Sequence, residues 1–203
     1  MYYFRYKITT TLSARVGHFN PSWNEPNVTN ETRLARFKDA MMYAGQELID
    51  RLQFFYNVYL PAKKIVREAI RSRYEVHESG CVITFENGGV PWKEHLFAIE
   101  EELGIVGEVK FALFQDIGGS WRVSCASIHS GSFDLRLPLP ESWRSLRSTE
   151  LSTVSGIDGC VFVHASGFIG GNETYDGVLA MATKTIELAN ADENGRLKGN
   201  KDA

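Results

Sequence analysis

The strongest hydrophobic pattern in the chain lies between residues 34 and 55, where apolar side chains recur every three or four positions. These side chains are Leu34, Phe37, Met41, Ala44, Leu48, Leu52 and Phe55. The spacing places them on one side of an α-helix, because a helix makes one turn about every 3.6 residues. Thr29 or Asn30 is suited to cap the first turn. The pattern therefore predicts an amphipathic helix of about six turns.

A second helix is predicted to begin at Pro61, because proline is tolerated in the first turn of a helix. Its apolar side comprises Ile65, Val66, Ala69 and Ile70. Its other faces carry the basic residues Lys63, Lys64, Arg67, Arg71 and Arg73. We interpret this basic cluster as a solvated helix face, and a contact with nucleic acid is the alternative.

After Gly80, short apolar runs alternate with segments of helical periodicity. The predicted elements are a strand at 81–85, a helix at 92–103, strands at 109–115, 121–128 and 160–163, and a helix at 173–189. The two middle strands form a hairpin, because Gly118 and Gly119 supply the positive φ angles that its turn needs.

The expected fold class is α/β, with a helical N-terminal linker region followed by a small mixed β-sheet and flanking helices. The domain boundaries follow from the change of pattern. We predict a helical linker region over 1–78, an α/β lobe over 79–190 and a polar tail over 191–203.

Charge and composition limit the functional classes. The 203 residues carry a net charge of −3, so a nucleic-acid contact would have to be a local patch. Cys81, Cys125 and Cys160 lie far apart without a CxxC pair, which favours buried reduced thiols in an intracellular protein. No run of about 18 apolar residues occurs, so no membrane partner is expected.

Motifs for common catalytic machinery do not occur in the sequence. It contains no P-loop, no GxGxxG and no GxSxG nucleophile elbow, and its five histidines are scattered singly. Cys160 and His164 would lie about 13 Å apart along one strand, too far for a nucleophile and its base. Metal-assisted hydrolysis needs several Asp or His side chains converging on the ions. We therefore assign no catalytic and no metal-binding residue in this chain.

The stretch from Gly156 to Asn172 holds the main candidate site. An apolar strand at 160–163 runs into a glycine-rich turn, and a helical pattern follows. A strand that ends in such a turn before a helix directs backbone N–H groups at one point, which suits a phosphate. His164, at the end of the strand, then becomes a phosphate or base contact. The alternatives are a tight turn without a ligand and a packed histidine.

Two further segments offer supporting contacts. Lys93 and His95 open a predicted helix, which either lines a substrate groove or is a capped surface helix. Arg136, Arg144 and Arg147 are interleaved with aromatic residues. This mixture suits single-stranded nucleic acid, because bases stack on aromatic rings and arginine contacts phosphate. A rigid proline-rich loop is the alternative for this segment.

Several segments of the chain resemble, in the same order, one known family. They are 10–16, 20–23, 91–96, 136–140, 143–144, 146–147, 154–156 and 164–172. The chain resembles the C-terminal half or more of the eukaryotic melanocyte-proliferating-gene proteins, which are described as metal-dependent protein hydrolases and as DHH-type RNA exonucleases. The resemblance extends from about residue 9 to residue 190.

The resemblance implies a two-lobed phosphoesterase whose N-terminal lobe holds a divalent metal, expected to be manganese, and whose C-terminal lobe grips the nucleic-acid strand. The gripping turn would be Gly170-Gly171-Asn172, with Asn172 in place of a histidine. An asparagine amide donates and accepts hydrogen bonds but cannot shuttle a proton. Together with the candidates above, the expected substrate contacts are His164, Gly167, Gly170, Gly171, Asn172, Lys93, His95, Arg136, Arg144 and Arg147.

The family's metal ligands lie upstream of Thr10, where this chain has only a few residues. We therefore expect the substrate-binding part of a DHH-type metal-dependent phosphodiesterase or 3′–5′ RNA exonuclease, which lacks the metal lobe and is inactive alone. This chain itself would hold no cofactor. Its expected partners are single-stranded RNA or another phosphodiester, and the missing catalytic lobe or a partner chain.

Other interpretations stay open at this point. The chain could be a non-enzymatic short form that binds RNA or other proteins, or it could retain a weak hydrolysis that does not depend on metal. Whether it is an enzyme by itself is therefore undecided. The resemblance implies an intracellular location in the nucleus or the mitochondrion, with the cytoplasm as an alternative.

Overall fold

The computed structural model describes residues 10–86 and 88–199, with the last seven as backbone only. Expectations that concern residues 1–9, Asn87 and 200–203 lie outside the described residues. The chain divides into two compact units, residues 1–60 and 61–203. The second predicted helix therefore belongs to the second unit, whereas the pattern of the sequence placed it in the linker region.

In the first unit a short helix contacts a long one. Helix α1 (Leu12–Gly17) packs on helix α2 (Asn30–Phe54), and a bidentate ion pair joins Arg15 to Glu47. Thr29 caps α2 through its hydroxyl. α2 confirms the predicted amphipathic helix and its cap. α1 was not predicted, because a helix of six residues is too short to show a periodic pattern.

A π-helical turn, Phe55–Tyr59, follows α2 and leads into helix α3 (Leu60–Arg71). Pro61 explains the wider turn. In a regular α-helix the proline ring would collide with the carbonyl group four residues earlier. Here the N–H of Leu60 donates to the carbonyl of Phe55, five residues back, so the turn has more room. Pro61 lies in the first turn of α3, as the sequence predicts.

The second unit contains a five-stranded mixed sheet, which confirms the predicted fold class. Its elements after α3 are α4 (Arg73–Val76), β1 (Val82–Phe85), α5 (Trp92–Leu103), β2 (Phe111–Gln115), β3 (Trp121–Cys125), a 3₁₀ turn (Glu141–Trp143), α6 (Ser148–Ser155), β4 (Cys160–Val163), β5 (Ile169–Asn172) and α7 (Tyr175–Gly199). The strand order is β1-β2-β3-β5-β4. β1 and β2 pair in parallel, and the other neighbours pair antiparallel.

Apolar residues from both faces of the sheet enter two separate cores. Val82 and Phe111 belong to a core that also contains Met181 of α7. The next residue of β1, Ile83, packs instead in a core with residues of α3 and α5. This division follows from the strand geometry, because successive side chains point to opposite faces. The sheet is therefore covered by helices on both sides.

The apolar side of α3 is buried in the second core, with one exception. Val66, Ala69 and Ile70 are buried as predicted, whereas Ile65 is 48% exposed. On the outer side of α3, basic residues meet acidic partners: Lys63 and Arg67 both pair with Glu102. These surface pairs accord with a solvated helix face.

The glycine-rich segment after β4 is a strand, and the predicted strand-to-helix turn is wrong. β5 lies between β3 and β4, and both neighbours pair with Gly170 and Gly171. Their backbone groups therefore belong to the hydrogen-bond ladder of the sheet and do not form an anion-binding turn. This strand was not predicted, because glycine has a low strand propensity. The sequence predicted the strand at 160–163, β4, as the last one, whereas β5 follows it.

Close packing explains why β5 is built from glycine. A Cβ atom on Gly170 would lie 2.9 Å from Leu139 Cδ1 and 2.9 Å from Met181 Cε. A Cβ atom on Gly171 would meet the guanidinium group of Arg122, which lies 5.3 Å from the ring centroid of Phe162 on β4. Side chains from neighbouring elements therefore occupy the space that side chains on β5 would need.

Asn172 joins the end of β5 to the start of α7. Its side chain is fully buried, and its Nδ2 donates to the carbonyl of Asp158 at 2.7 Å. Its Oδ1 accepts the N–H of Thr174 at 3.0 Å, just before the helix begins. α7 then extends to Gly199, beyond the predicted helix end at residue 189, so the expected polar tail is helical as far as it is described.

We expect Gly170→Val to lower the free energy of unfolding by about 1–3 kcal/mol, because added methyl groups overpack the core between Leu139 and Met181. Urea denaturation followed by circular dichroism measures this change. Gly17→Ala is the control, since a Cβ atom there has nothing within 4 Å. Equal stability of Gly170→Val and the wild-type chain would contradict the packing explanation.

Candidate functional site

A cavity of about 650 Å³ opens on the surface of the second unit. The start of α5, the loop after β3 and the turn between β4 and β5 line it. They contribute Lys93, Glu94, Phe97, Ser127, Ser130, Gly131, Ser132, Phe133, Leu135, His164, Ser166 and Phe168. Its volume falls in the range of small-ligand sites, roughly 300–1,000 Å³.

Phenylalanine rings from three different segments give the cavity an aromatic lining. Phe133 lies in the loop after β3 and is fully exposed. Phe168 lies in the turn before β5, and the Nζ of Lys93 is 5.9 Å from its ring centroid. Phe97 on α5 contacts the guanidinium group of Arg136, which lies 5.2 Å from its ring centroid. These rings offer flat apolar faces to a ligand.

His164 and Lys93 are the predicted contacts that line the cavity. The Nδ1 atom of His164 accepts the N–H of Ser166 at 3.2 Å, so the neutral ring carries its proton on Nε2. The ring also packs edge-to-face on Phe168, with centroids 4.7 Å apart. Lys93 and Glu94 put one positive and one negative charge at the same rim, so the cavity is not strongly cationic.

Gly167 and Arg144 lie behind the cavity and hold the turn between β4 and β5. Gly167 has φ +71°, and a Cβ atom there would lie 2.8 Å from Arg144 Nε and 3.0 Å from the carbonyl oxygen of Leu139. The Nε of Arg144 donates to that carbonyl at 3.2 Å. The buried thiol of Cys125 donates to the carbonyl of Gly167, and burial raises the pKa of Cys125 to about 12. Both predicted contacts thus have structural roles here.

Arg136 is paired inside the protein. Its Nη1 and Nη2 donate to the two carboxylate oxygens of Glu100 at 2.6 and 2.7 Å, and both side chains are almost fully buried. The same carboxylate accepts the N–H groups of Gly107 and Val109. Four hydrogen bonds therefore compensate its charge, and the guanidinium of Arg136 is directed at the protein.

His95 is also inside the protein, with 1% of its surface exposed. Burial lowers the pKa of His95 below its usual value of 6.5, and the nearby charge of Lys63 lowers it further, whereas Glu94 raises it. The imidazole is therefore neutral at physiological pH. It lies on the core side of α5, while its neighbour Lys93 lines the cavity.

Arg147 belongs to a different surface cluster. Its guanidinium carbon lies 6.0 Å from the ring centroid of Phe162, and that of Arg122 lies 5.3 Å from the same ring. Arg122 is in turn paired with Asp116. Of the ten predicted contacts, the structure thus places two in the cavity and two behind it. His95, Arg136, Gly170, Gly171 and Asn172 are almost fully buried, and Arg147 is exposed beside Phe162.

Comparison with known proteins decides the family. Residues 2–186 match the model of MYG1_exonuc, described as "Uncharacterised protein family (UPF0160)". The chain belongs to this MYG1 family. The resemblance to the melanocyte-proliferating-gene proteins is therefore confirmed. No solved structure matches the chain.

The MYG1 relatives are similar over most of this chain. The "MYG1 exonuclease" of Bos taurus is 50% identical over 182 residues, which cover 90% of this chain and 47% of the relative. The "MYG1 exonuclease" of Homo sapiens is 47% identical, with 48% of its length covered, and the "MYG1 protein" of Dictyostelium discoideum is 48% identical, with 55% covered. The family is thus nuclease-related, and the chain spans about half the length of these relatives.

In this MYG1 chain the sequence pointed to the aromatic and arginine-rich segment that contains Phe133, but not to Phe97 or Phe168. Phe97 lies in α5, whose periodic pattern explains an apolar residue without a ligand, and Phe168 lies in the turn before β5. Phe133 had a signal of its own, because it follows the polar run Ser130–Ser132 in a loop. A large aromatic residue exposed on a surface loop is a stronger sign of binding than an apolar residue within a helix or strand.

The described residues of this MYG1 chain do not fit the manganese ion that the resemblance implies. Among the side chains that the structure describes, up to residue 192, no group of three or more His, Cys, Asp or Glu could hold a metal ion. Over the same residues, no helix is long and apolar enough to cross a membrane.

We expect Arg136→Met to lower the free energy of unfolding by about 3–5 kcal/mol, because it leaves the buried carboxylate of Glu100 without its charged partner. The double variant with Glu100→Gln should regain part of this loss. Arg147→Met is the matched control and should change stability by less than about 0.5 kcal/mol. Urea denaturation measures these free energies of unfolding. Equal losses for Arg136→Met and Arg147→Met would contradict the conclusion that Arg136 is paired in the interior and Arg147 is not.

The lowered pKa of His95 predicts a pH dependence of stability. Unfolding restores the usual pKa of 6.5, so the unfolded state binds more protons below this pH. The stabilisation is complete above pH 6.5 and decreases as the pH falls towards the lower pKa of the folded state. Thermal midpoints measured from pH 7.5 down to about 5.5 should fall less steeply for His95→Gln than for the wild-type chain.

The control for this experiment is His129→Gln, since His129 lies exposed in the loop after β3. It should keep the wild-type slope. A slope that is the same in all three proteins would exclude His95 as the group responsible.

Proposed function

We propose that residues 61–203 form the substrate-binding part of a DHH-type metal-dependent exonuclease. In this proposal the cavity takes a nucleotide of single-stranded RNA or of another phosphodiester. The observation that carries it is the convergence of Phe97, Phe133 and Phe168 with Lys93 around one open cavity. The names of the MYG1 exonuclease relatives support nucleic acid as the substrate class.

Stacking is the interaction that this lining favours. Every base has a flat π-face, and a base stacked on an aromatic ring gains about 1–3 kcal/mol without sequence preference. Phe133 is fully exposed and so is accessible to a base from solvent. The ring of Phe168 is held in place by His164 on one side and the ammonium group of Lys93 nearby. A base placed between the loop after β3 and this turn would meet the ring of Phe168 in a held position, and the exposed ring of Phe133 would close on its other side.

Polar groups around the rings suit the sugar and phosphate. Lys93 supplies a cation, and Nε2 of His164 supplies a donor in its neutral form. The hydroxyl groups of Ser127, Ser130, Ser132 and Ser166 also line the cavity and can both donate and accept hydrogen bonds. Because Glu94 offsets the charge of Lys93, we expect a modest salt dependence, with stacking as the larger contribution to affinity.

Cleavage in this proposal requires metal ligands beyond the described residues. The chain covers only about half the length of its relatives, so such ligands would belong to a catalytic lobe or to a partner chain. The described residues would hold and orient the strand for that lobe. A chain that binds RNA or proteins without taking part in cleavage is the second candidate, and the missing metal ligands among the described residues favour it for this chain alone.

Binding of a labelled single-stranded RNA, followed by fluorescence anisotropy, tests the role of the cavity. Phe133→Ala should weaken binding by about 5- to 100-fold, which corresponds to the loss of one stacked base. Ile117→Ala is the matched control, because Ile117 is an equally exposed apolar residue in the β2–β3 hairpin. If both variants bind like the wild-type chain, or if the chain binds no RNA at low salt, the cavity is not the RNA site.

Cleavage is measured separately, with the same RNA in the presence and absence of manganese. We expect binding without cleavage under both conditions. Cleavage that depends on manganese in the chain alone would contradict the proposal that the metal ligands lie elsewhere.

A further inference from the structure

One side of α2 carries a large apolar surface, much of which is exposed to solvent. Helix α1 contacts the opposite side, where Phe19 packs on Tyr43 and Arg15 pairs with Glu47. The uncovered side carries Leu34, Met41, Met42, Leu48, Ile49 and Leu52, each with 48–75% of its surface exposed. Between Leu34 and Leu52, Lys38 is the charged residue on this side. We call these seven residues, with Gly45, the α2 apolar face.

Gly45 lies at the centre of the α2 apolar face. Met41 and Met42 precede it by four and three residues, and Leu48 and Ile49 follow it by three and four. A glycine inside a helix costs about 0.5–1 kcal/mol relative to alanine. The unit itself gives no reason for this cost, since a Cβ atom on Gly45 would have nothing within 4 Å. A glycine does allow another backbone to approach closely.

We propose that the α2 apolar face binds the same face of a second copy of this chain, with the two helices antiparallel and crossing at Gly45. A twofold axis through this point places Met41 and Met42 of one copy against Ile49 and Leu48 of the other. Apolar residues occupy the positions three and four residues away from Gly45 on both sides, and this symmetry is what a self-complementary interface requires. The glycines let the helices pack closely at the crossing point.

The exposed area is sufficient for a dimer. Six large side chains that are 48–75% exposed leave on the order of 700 Å² open on each copy, and a standard stable interface takes roughly 800 Å² per partner. Solvent-exposed apolar patches of this size are unusual on monomeric proteins. The remaining area would come from Phe37, which is 61% exposed beside the face.

Lys38 favours the antiparallel arrangement. In a parallel pair the two Lys38 ammonium groups would meet at the same level of the interface, and their repulsion would oppose pairing. Lys38 precedes Gly45 by seven residues, and Leu52 follows it by seven. In the antiparallel pair Lys38 of one copy therefore lies opposite Leu52 of the other. Its aliphatic stem can cover Leu52 while the ammonium group stays in water.

Sedimentation of the full chain tests the association. We expect the wild-type chain to form a dimer within the concentration range up to about 100 µM. Leu48→Glu should raise the dissociation constant of this dimer by at least about tenfold. Val154→Glu is the matched control, because Val154 is similarly exposed on α6, outside the α2 apolar face. Circular dichroism confirms that both variants are folded. A wild-type monomer throughout, or equal effects of the two variants, would overturn the proposal.

Disulfide trapping tests the orientation. A mixture of Met42→Cys and Leu48→Cys chains should form a mixed disulfide dimer under mild oxidation, because an antiparallel crossing at Gly45 brings these positions together. Each variant oxidised alone should not. The wild-type chain controls for Cys81, Cys125 and Cys160, of which two are buried. Dimers formed by each variant alone, and not by the mixture, would show a parallel pair and contradict the arrangement.

Discussion

The buried carboxylate of Glu100 connects the segments that form the cavity. It lies near the end of α5 and accepts hydrogen bonds from the chain that leads into β2 and from Arg136, which follows the loop after β3. An ionised carboxylate in the interior is tolerated only with such compensation, because its desolvation costs several kcal/mol. Neither segment can therefore move away without exposing an uncompensated charge to the core.

Glu100 and Arg136 are close in sequence to two of the aromatic residues that line the cavity. Phe97 lies one helical turn before Glu100, and Phe133 lies three residues before Arg136. The ion pair thus anchors α5 and one end of the loop, while the loop itself stays at the surface. A rigid support below an exposed aromatic residue is an arrangement in which little conformational entropy is lost when a flat ligand binds.

The sequence predicted most elements of the fold and a smaller part of the candidate site. Periodicity identified α2, α5 and the β2–β3 hairpin, because their apolar residues face a core or a continuous stripe. It failed at β5, where packing rather than propensity selects glycine, and at His95 and Arg136, whose burial depends on distant partners. The same limit applies to the cavity, since its rings come from three separate segments and only the folded chain brings them together.

β5 supplies backbone hydrogen bonds to two neighbouring strands while its glycines add no side chains. It lies between β3 and the edge strand β4 in the sheet order, and Gly170 and Gly171 are buried. Local opening of this strand would break pairing on both sides at once, so we expect its amides to be among the slowest of the sheet to exchange with solvent. The residues that looked most like a ligand-binding loop are thus a natural reporter of global stability, against which the mobility of every other segment can be compared.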